Sequence, residues 1–434
     1  MKAIGVMRKQ KGFILVFALV IIALVILSLA ALFLISYNDL AAANTITRGM
    51  RAYYIAEAGL AKRFMDLRAE NPVITGTLPE AGFTLSGTDS GTYITTTTPV
   101  AGGTLETYRI ETTGKYKNIS RTVAITIMQR SYSSFAYLTN NESSMFWWWK
   151  KPVWFVTGDT LTGPLHTNDQ LNIFGDPIFE GPVSSVNSSI NYYHGGAPDD
   201  NPEFRDSLTL GALGIQMPSS ANMLTPISTT VQSAYSYSGY TKVTFLSDGT
   251  MNVYNYAKYG AIIPNIPLPA NGLIYVSSGS VDVSGTLKGS VTLGCNSDIN
   301  IVGNIIYNSD PRTDTSSTDM LGLVAKSNVY ISSTVPTQNL EIDAYIVAID
   351  NSFKIDDFTY YNLLKGTLTL YGGITQSNRG AVGTFNSSSG DRETGYTKDY
   401  EFDERLYSAA PVCFPVAKDA NGRTLYRKVT WSEL

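Results

Sequence analysis

Few side chains in this sequence could carry out acid–base or metal chemistry. His166 and His194 are its only histidines, and neither has a cysteine or a second histidine at metal-ligand spacing. Asp159 and Asp169 flank His166, but a glycosidase needs two carboxylates at a defined separation, which sequence alone does not reveal. Aspartates are also common in turns. We therefore expect no enzyme, no metal site and no cofactor, and a turn hydrogen bond for His166.

An aromatic cluster could instead bind a ligand. Trp147, Trp148 and Trp149 are consecutive, and Lys150 and Lys151 follow them. In a strand, Trp147 and Trp149 would face one side and Trp148 the other, so both faces would be aromatic. Two interpretations stay open. The cluster is either a surface that binds a glycan or protein ligand, or an apolar cap over one end of a β-rich body.

The element that positions the whole chain is an apolar run. Residues 13–37 carry no charge, and a leader with four basic residues precedes them. Such a run crosses ~30 Å of hydrocarbon as a helix. The basic flank predicts a cytoplasmic leader and export of everything that follows. A secretory signal would have a shorter apolar core with a small-residue cleavage site behind it, whereas Gly12 lies in front of this run.

The helix is expected to continue beyond the apolar run. No proline occurs from Asn38 to Glu70, and Pro72 marks the expected end. One apolar stripe recurs at helical spacing, through Ala56, Leu60, Phe64 and Leu67. At ~1.5 Å per residue, the predicted rod is ~85 Å long. Its first half is apolar on all sides, and its second half is amphipathic.

The junction Lys11-Gly12-Phe13, the apolar run and the sequence AEAGL at 56–60 resemble the class III signal and N-terminal domain of PilX-type minor pilins. The resemblance covers about the first 65 residues. It implies that a prepilin peptidase cuts after Gly12 and that Phe13 becomes the N-methylated first residue. It also implies that the helix assembles with other pilin subunits, with Glu57 as a polar registration contact.

Phe17 departs from the pattern of major pilins. They place a glutamate at the fifth mature residue, which is position 17 here. In the family, that carboxylate offsets the N-terminal amine of a neighbouring subunit, and a buried charge without a partner costs several kcal/mol. The departure resembles tip-located pseudopilins. It predicts a tip or low-copy position rather than a repeated position in the shaft.

The hydrophobic period changes after Pro72. Residues 82–85, 92–94, 107–110 and 122–127 alternate apolar and polar side chains, with turn residues between them. Four such strands predict a small antiparallel sheet that packs on the amphipathic half of the helix.

A repeated hexad marks the long remainder of the chain. Residues 171–176 recur as 281–286 and again as 299–304, with a looser copy at 368–373. Val281–Ile299 and Leu287–Ile305 both give a period of 18. Short strands broken by glycine turns bury an apolar face when successive coils stack. We therefore predict a parallel β-solenoid, with a β-sandwich as the alternative. Stretches such as 163–168 and 400–406 also resemble an uncharacterised domain found behind PilX-type N-termini.

Composition narrows the list of partners. The net charge is −4 and 16% of residues are charged, which argues against nucleic acid. The cysteines, Cys295 and Cys413, could form one disulfide in an oxidising compartment or remain two free thiols.

These patterns predict an α+β, mainly β, protein in four parts. They are a leader at 1–12, a membrane and pilin helix at 13–70, a small sheet at 71–132, and a solenoid-like domain at 133–434 with insertions near 187–270 and 308–320. The predicted function is that of a minor pilin or pseudopilin in a type IV pilus or type II secretion-like filament. It would be inserted in the bacterial cytoplasmic membrane with its N-terminus inside. The alternative is a membrane-tethered extracellular solenoid that binds or degrades polysaccharide.

Overall fold

The computed structural model describes residues 10–434 except 71, 88, 103, 147–148, 334, 336–337, 357–363, 387 and 389–390. The chain separates into two compact units. The first, here called the N-terminal unit, comprises Met1–Pro99, Tyr108–Ile127 and Lys428–Leu434. The second, here called the body, comprises Val100–Thr107 and Met128–Arg427. A long helix followed by a mainly β chain agrees with the expected fold class.

Helix α1 spans Gln10–Leu67, 58 residues without a break. All its side chains from 13 to 47 are exposed, in agreement with the apolar first half that the sequence predicts. The second half buries the expected stripe: Ala56 and Leu67 are fully buried, Leu60 is 4% exposed and Phe64 is half-buried. Burial of this stripe, rather than helix propensity, holds the second half in place.

The sheet of the N-terminal unit begins with the expected strands. The bounds are β1 Gly76–Thr77, β2 Ala81–Ser86, β3 Asp89–Val100, β4 Thr107–Tyr116 and β5 Ile119–Gln129. Strands β1 and β2 both pair with β3 in antiparallel fashion. Two residues join β4 to β5, and Lys117 in that turn has a φ of 55°, as tight hairpins require.

Glycines let the helix and this sheet approach each other closely. A Cβ on Gly114 would collide with the carbonyl oxygen of Ala52 and the backbone nitrogen of Ala56. On the helix side, a Cβ on Gly59 would collide with Tyr93 and Thr112. Any larger side chain at either glycine would therefore push α1 off the sheet.

Most strands of the body are short. Their bounds are β6 Tyr137–Asn141, β7 Ser143–Phe146, β8 Trp149–Pro152, β9 Phe155–Val156, β10 Thr160–Leu161, β11 Leu165–Thr167, β12 Asn172–Phe174, β13 Ile178–Phe179, β14 Val183–Ser185, β15 Asn191–Tyr192, β16 Glu203–Phe204, β17 Leu208–Leu210, β18 Ser236–Tyr237, β19 Thr241–Phe245, β20 Thr250–Asn255, β21 Ile262–Pro267, β22 Leu273–Val276, β23 Val281–Leu287, β24 Ser290–Cys295, β25 Ile299–Tyr307, β26 Met320–Ala325, β27 Val329–Ile331, β28 Leu340–Ala348, β29 Phe353–Ile355, β30 Leu364–Asn378, β31 Gly383–Phe385 and β32 Arg392–Phe402. Helix α2 covers Leu224–Thr230, and 3₁₀ helices cover Tyr132–Ser134, Ser233–Tyr235 and Glu404–Tyr407.

The repeat predicted from the hexads corresponds to neighbouring strands. Val281 on β23 pairs in parallel with Ile299 on β25, which confirms the spacing of 18 residues at this point. The register then shifts, so that Leu287 pairs with Tyr307 and not with the expected Ile305. The irregularity begins at Gly285, whose φ of 112° is open to glycine but strained for other residues. The sheet is mixed, because β19–β20, β20–β21 and β31–β32 are antiparallel pairs.

The two segments expected to be insertions differ in structure. Residues 308–319 form no strand and connect β25 to β26, and an insertion between coils at 308–320 stays a prediction. The insertion expected at 187–270 is smaller than predicted. Strands β16 and β17 within it pair in parallel with β13 and β14, and β18 and β19 pair in parallel with β22 and β23. These strands contain too few residues for a sequence pattern to identify them.

Two strands of the large sheet connect the early part of the body to its late part. Strand β6, near the start of the body, pairs in parallel with both β11 and β30. Strand β32, near its end, pairs in parallel with both β10 and β30. These two strands therefore join the part of the body made by residues 160–210 to the part made by residues 236–378. We call this junction the seam.

Buried ion pairs lie at the seam. Arg379 donates to Glu142 at 2.8 Å across 237 residues of sequence, and both side chains are 1% exposed. The Arg379 guanidinium also lies 3.4 Å from the centre of the Phe155 ring and donates to the Trp154 carbonyl. A second buried carboxylate, Asp159, binds Lys398. Buried charges are costly unless paired, so each partner depends on the other.

Most of the last strand, β33 at Tyr426–Glu433, belongs to the N-terminal unit, which takes the chain from Lys428 onward. It lies beside β5 in the N-terminal sheet, and the Leu434 amide donates to the Thr122 carbonyl at 2.9 Å. The body expected at 133–434 therefore ends earlier, and the small sheet expected at 71–132 gains a strand from far along the chain. Both cysteines are free thiols, Cys295 buried and Cys413 half-buried.

We predict that Arg379→Met destabilises the body strongly, because it leaves the Glu142 carboxylate buried without its partner. The expected loss is about 3–5 kcal/mol of unfolding free energy, measured by urea denaturation of the full chain in detergent. Arg205→Met is the matched control, since Arg205 pairs with Glu180 and Glu203 at the exposed surface and should change stability by less than about 1 kcal/mol. Equal losses in the two variants would contradict the importance of the seam.

Candidate functional site: the exposed N-terminal helix

The first half of α1 is a continuous exposed apolar surface. Its large side chains are about half to three-quarters exposed, from 45% for Ile21 to 76% for Phe13. Within the described residues, α1 is the one helix long and apolar enough to cross a membrane. A helix that is apolar on all sides is stable in lipid or against other apolar helices. This half of α1 therefore has to pack against lipid or other apolar helices, because the rest of the N-terminal unit leaves it exposed.

The predicted processing junction lies within this helix. Gly12 and Phe13 are helical, close to Gln10, where the described part of α1 begins. The Phe13 ring stacks on the Phe17 ring, with centroids 6.5 Å apart and an angle of 12° between the planes. Phe17 is itself 59% exposed. An exposed apolar ring thus occupies position 17. Cleavage after Gly12 stays a prediction.

Glu57 contacts its own unit. Its carboxylate accepts a hydrogen bond from the Trp431 indole at 3.0 Å and from the Tyr53 hydroxyl at 3.3 Å. The side chain therefore ties the amphipathic half of α1 to strand β33. The registration contact to other subunits, expected for Glu57 from the family resemblance, stays a prediction. Sequence reasoning missed Trp431, because 374 residues separate it from Glu57 and no local pattern connects them.

Arg63 is a second residue that sequence reasoning missed. It is 3% exposed, and its guanidinium donates to Glu70 at 2.6 and 3.1 Å, to Thr97 at 2.9 Å and to the Ile74 carbonyl at 2.6 Å. These bonds fix the end of α1 to the strand and loop beside it. A signal was present in the sequence, because Arg63 lies three residues after Leu60 on the buried stripe. An arginine at such a position must find buried acceptors.

The tryptophan cluster is only partly described. Trp147 and Trp148 lie outside the described residues, and for Trp149 only the backbone position is given. Strand β8, which contains Trp149, pairs in antiparallel fashion with β7, so that Phe146 lies opposite Trp149. Both interpretations of the cluster, a ligand-binding surface and an apolar cap, stay open.

His166 lies in strand β11 and not in the turn expected from the sequence, and its ring is held by side-chain hydrogen bonds. Its ring lies 3.1 Å from the Asn168 Oδ1 atom and 2.8 Å from the Ser184 hydroxyl. Asn168 Oδ1 also accepts the Ile215 amide, so the His166 Nε2–H donates to it and Nδ1 accepts from Ser184. Burial lowers the pKa of His166 to about 4. The ring is thus a neutral structural group at ordinary pH.

The aspartates that flank His166 in sequence serve other partners. Asp159 binds Lys398, and Asp169 accepts the Glu142 amide at 2.9 Å. No catalytic arrangement connects them to the imidazole. Among the described residues, no group of three or more His, Cys, Asp or Glu side chains could hold a metal ion.

Asp343 is the acid in the body with the most perturbed environment. It is 1% exposed, burial raises its pKa to about 7, and the Tyr307 amide donates to it at 2.8 Å. Next to it, Arg312 bridges Asp310 at 2.9 Å and Glu341 at 2.7 Å. Because Asp343 is covered and Arg312 already binds its acidic neighbours, this cluster offers a substrate no free carboxylate pair. Its geometry is that of a structural ion network.

Comparisons with known proteins give limited matches. Residues 102–188 match the family model of a domain of unknown function, DUF4900, over a minor part of the chain. Among solved structures, the competence-associated pilin ComZ from Thermus thermophilus aligns with 89% of this chain and 98% of its own, at 11% identity and a TM-score of 0.37. A TM-score this low does not establish a shared fold. No curated protein matches the chain.

We predict that the buried His166 makes stability depend on pH. Its folded pKa of about 4 lies below the unfolded value of about 6.5, so the unfolded chain binds the proton first. Stability therefore falls as the pH drops from about 6.5 to about 4, by roughly 3 kcal/mol. Urea denaturation of full-length His166→Gln should show a smaller loss over this window. Equal slopes in the wild-type and His166→Gln proteins would contradict the assignment.

Proposed function

We propose that this protein is a minor, pilin-like subunit of a type IV pilus or type II secretion-like filament. The observation that carries the proposal is the division of α1 into an exposed apolar half and a half packed on a small sheet. One continuous helix can thus leave lipid and enter a bundle of like helices without refolding. The Lys11-Gly12-Phe13 junction in front of it supports the same proposal.

We further propose that the body is a β-solenoid. Parallel pairing of β22 with β24, of β24 with β26 and of β26 with β28 supports stacked coils. The side chains inside these strands form one apolar core, in which Val291, Leu323 and Ile346 are fully buried. The antiparallel pairs β19–β20 and β20–β21 would then be a local addition to a stack whose coils pair in parallel.

The expected position is the filament tip or another low-copy place. In a shaft, each subunit would leave a neighbour's N-terminal amine facing Phe17 instead of a carboxylate. An unpaired buried charge of this kind costs several kcal/mol and would recur at every subunit. At a tip the cost arises once at most. The large body, residues 128–427, would there be available for priming assembly or for adhesion.

Assembly requires particular partners. The proposal includes a prepilin peptidase for the Gly12–Phe13 bond, the cytoplasmic membrane as the first environment of α1, and other pilin helices as its final environment. The leader remains cytoplasmic, because its basic residues oppose translocation. The alternative function, a membrane-tethered polysaccharide-binding or polysaccharide-degrading protein, would need the helix only as an anchor.

We predict that mass spectrometry of the mature protein finds N-methylated Phe13 as its first residue. Gly12→Val should block this processing, because a small residue is required before the cut by analogy with the family. Gly5→Val changes the other leader glycine and should leave the mature N-terminus unchanged. An intact Met1, or a cut beyond Tyr37, would reject the pilin proposal and favour the tethered alternative.

We also predict a low-copy location. Immunogold labelling of the body should mark filament ends, or single sites, because Phe17 disfavours repeated incorporation. Phe17→Glu restores the missing carboxylate and should increase the number of copies along the shaft. Dense labelling of wild-type protein along the whole shaft would exclude the tip assignment.

A further inference from the structure

A cavity of about 440 Å³ opens at the seam of the body. Its walls come from the segment that leads into β9 and from β31 and β32, which are far apart in sequence. The lining residues are Ser144, Lys151, Pro152, Val153, Trp154, Val156, Ala381, Val382, Gly383, Thr384, Phe385, Arg392 and Lys398. The volume lies in the range typical of sites for small molecules.

The charge at this cavity is unbalanced. Arg392 and Lys398 line it, and both bind Asp159, Arg392 at 3.4 Å. Asp159 is fully buried and is not part of the lining, so one carboxylate lies behind two cations. Burial lowers the pKa of Lys398 to about 8, although Asp159 acts in the opposite direction, so the ammonium remains largely charged at neutral pH. The exposed side chain of Lys151 adds a third basic group. The cavity therefore favours an anion.

The remaining walls are apolar and aromatic. Trp154 meets Tyr193 edge to face at 5.1 Å between ring centroids, and Phe385 packs on Phe174 at 4.6 Å. These neighbours hold both lining rings in place, which lowers the entropic cost of binding. Ser144 and Thr384 contribute hydroxyl groups to the same lining. The cavity thus combines cations, fixed aromatic rings and hydrogen-bonding hydroxyls.

We propose that this cavity binds one acidic sugar residue, a uronate, of a polysaccharide. The carboxylate of the sugar would bind the Arg392 guanidinium, a pairing that favours two parallel hydrogen bonds. The apolar faces of the pyranose ring fit against Trp154 and Phe385, and its hydroxyls fit the polar lining. Inorganic phosphate would leave the aromatic walls unused, and a fatty acid would leave the hydroxyls unpaired. This inference goes beyond filament assembly and does not depend on it.

The test is a calorimetric titration of the full chain in detergent with trigalacturonate. Its methyl ester is the matched ligand control, because esterification removes the charge and keeps the rings. Wild-type protein should bind the acid at least about tenfold more tightly than the ester, the size expected for a charged hydrogen bond. Arg392→Gln should remove that preference. Arg205→Gln, which removes an exposed cation that does not line the cavity, should leave binding unchanged.

A second variant separates binding from folding. Phe385→Leu keeps the charges and removes a ring, so it should weaken the acid and the ester alike, while thermal unfolding checks that the body is intact. Failure of the wild-type protein to bind trigalacturonate would overturn the proposal. Equal affinity for acid and ester would overturn the role of Arg392 and Lys398. Equal binding of a short peptide with a free terminal carboxylate would overturn the assignment to a saccharide. A chain that is not processed at Gly12 can be titrated in the same way. The pilin proposal can therefore fail while saccharide binding is still observed, and the two outcomes remain distinguishable.

Discussion

The requirement that buried charges be paired governs how the body is completed. Glu142 and Asp159 lie near the start of the body, whereas Arg379 and Lys398 lie near its end. Neither carboxylate can be buried favourably until the later segment has been added. The strands on both sides of the seam therefore depend on contacts between residues more than 200 positions apart. The cavity depends on the same contacts, because the segment with Trp154 and the segment with Arg392 both line it.

Sequence predicted the features that depend on neighbouring residues. The length of α1 followed from an uninterrupted apolar run and a helical stripe, and both are local signals. The four strands of the small sheet followed from period-two alternation in the same way. The pairing of Val281 with Ile299 followed from a repeat, which is a local pattern used twice. The register shift at Gly285 was not predicted, because a backbone irregularity leaves only a single glycine in the sequence.

Features built from distant segments were not predictable by such patterns. The bond between Trp431 and Glu57 and the lining of the cavity join residues with no shared period. Arg63 was predictable in principle, since its place on the buried stripe conflicts with its charge. Lys398 carries a similar conflict, because it lies on the same face of β32 as the buried residues Tyr396 and Tyr400. Charged residues at positions that a pattern assigns to a core are therefore the best guide to hidden polar sites.

The return of β33 to the N-terminal sheet has a consequence for biosynthesis. The edge of β5 stays unpaired until residues 426–433 have been made, after the whole body. An unpaired edge strand is a template for aggregation and a site for proteases. A chain that stops early would thus expose this edge on the very unit that carries α1. The integrity of the sheet that packs on α1 is thereby tied to synthesis of the entire body.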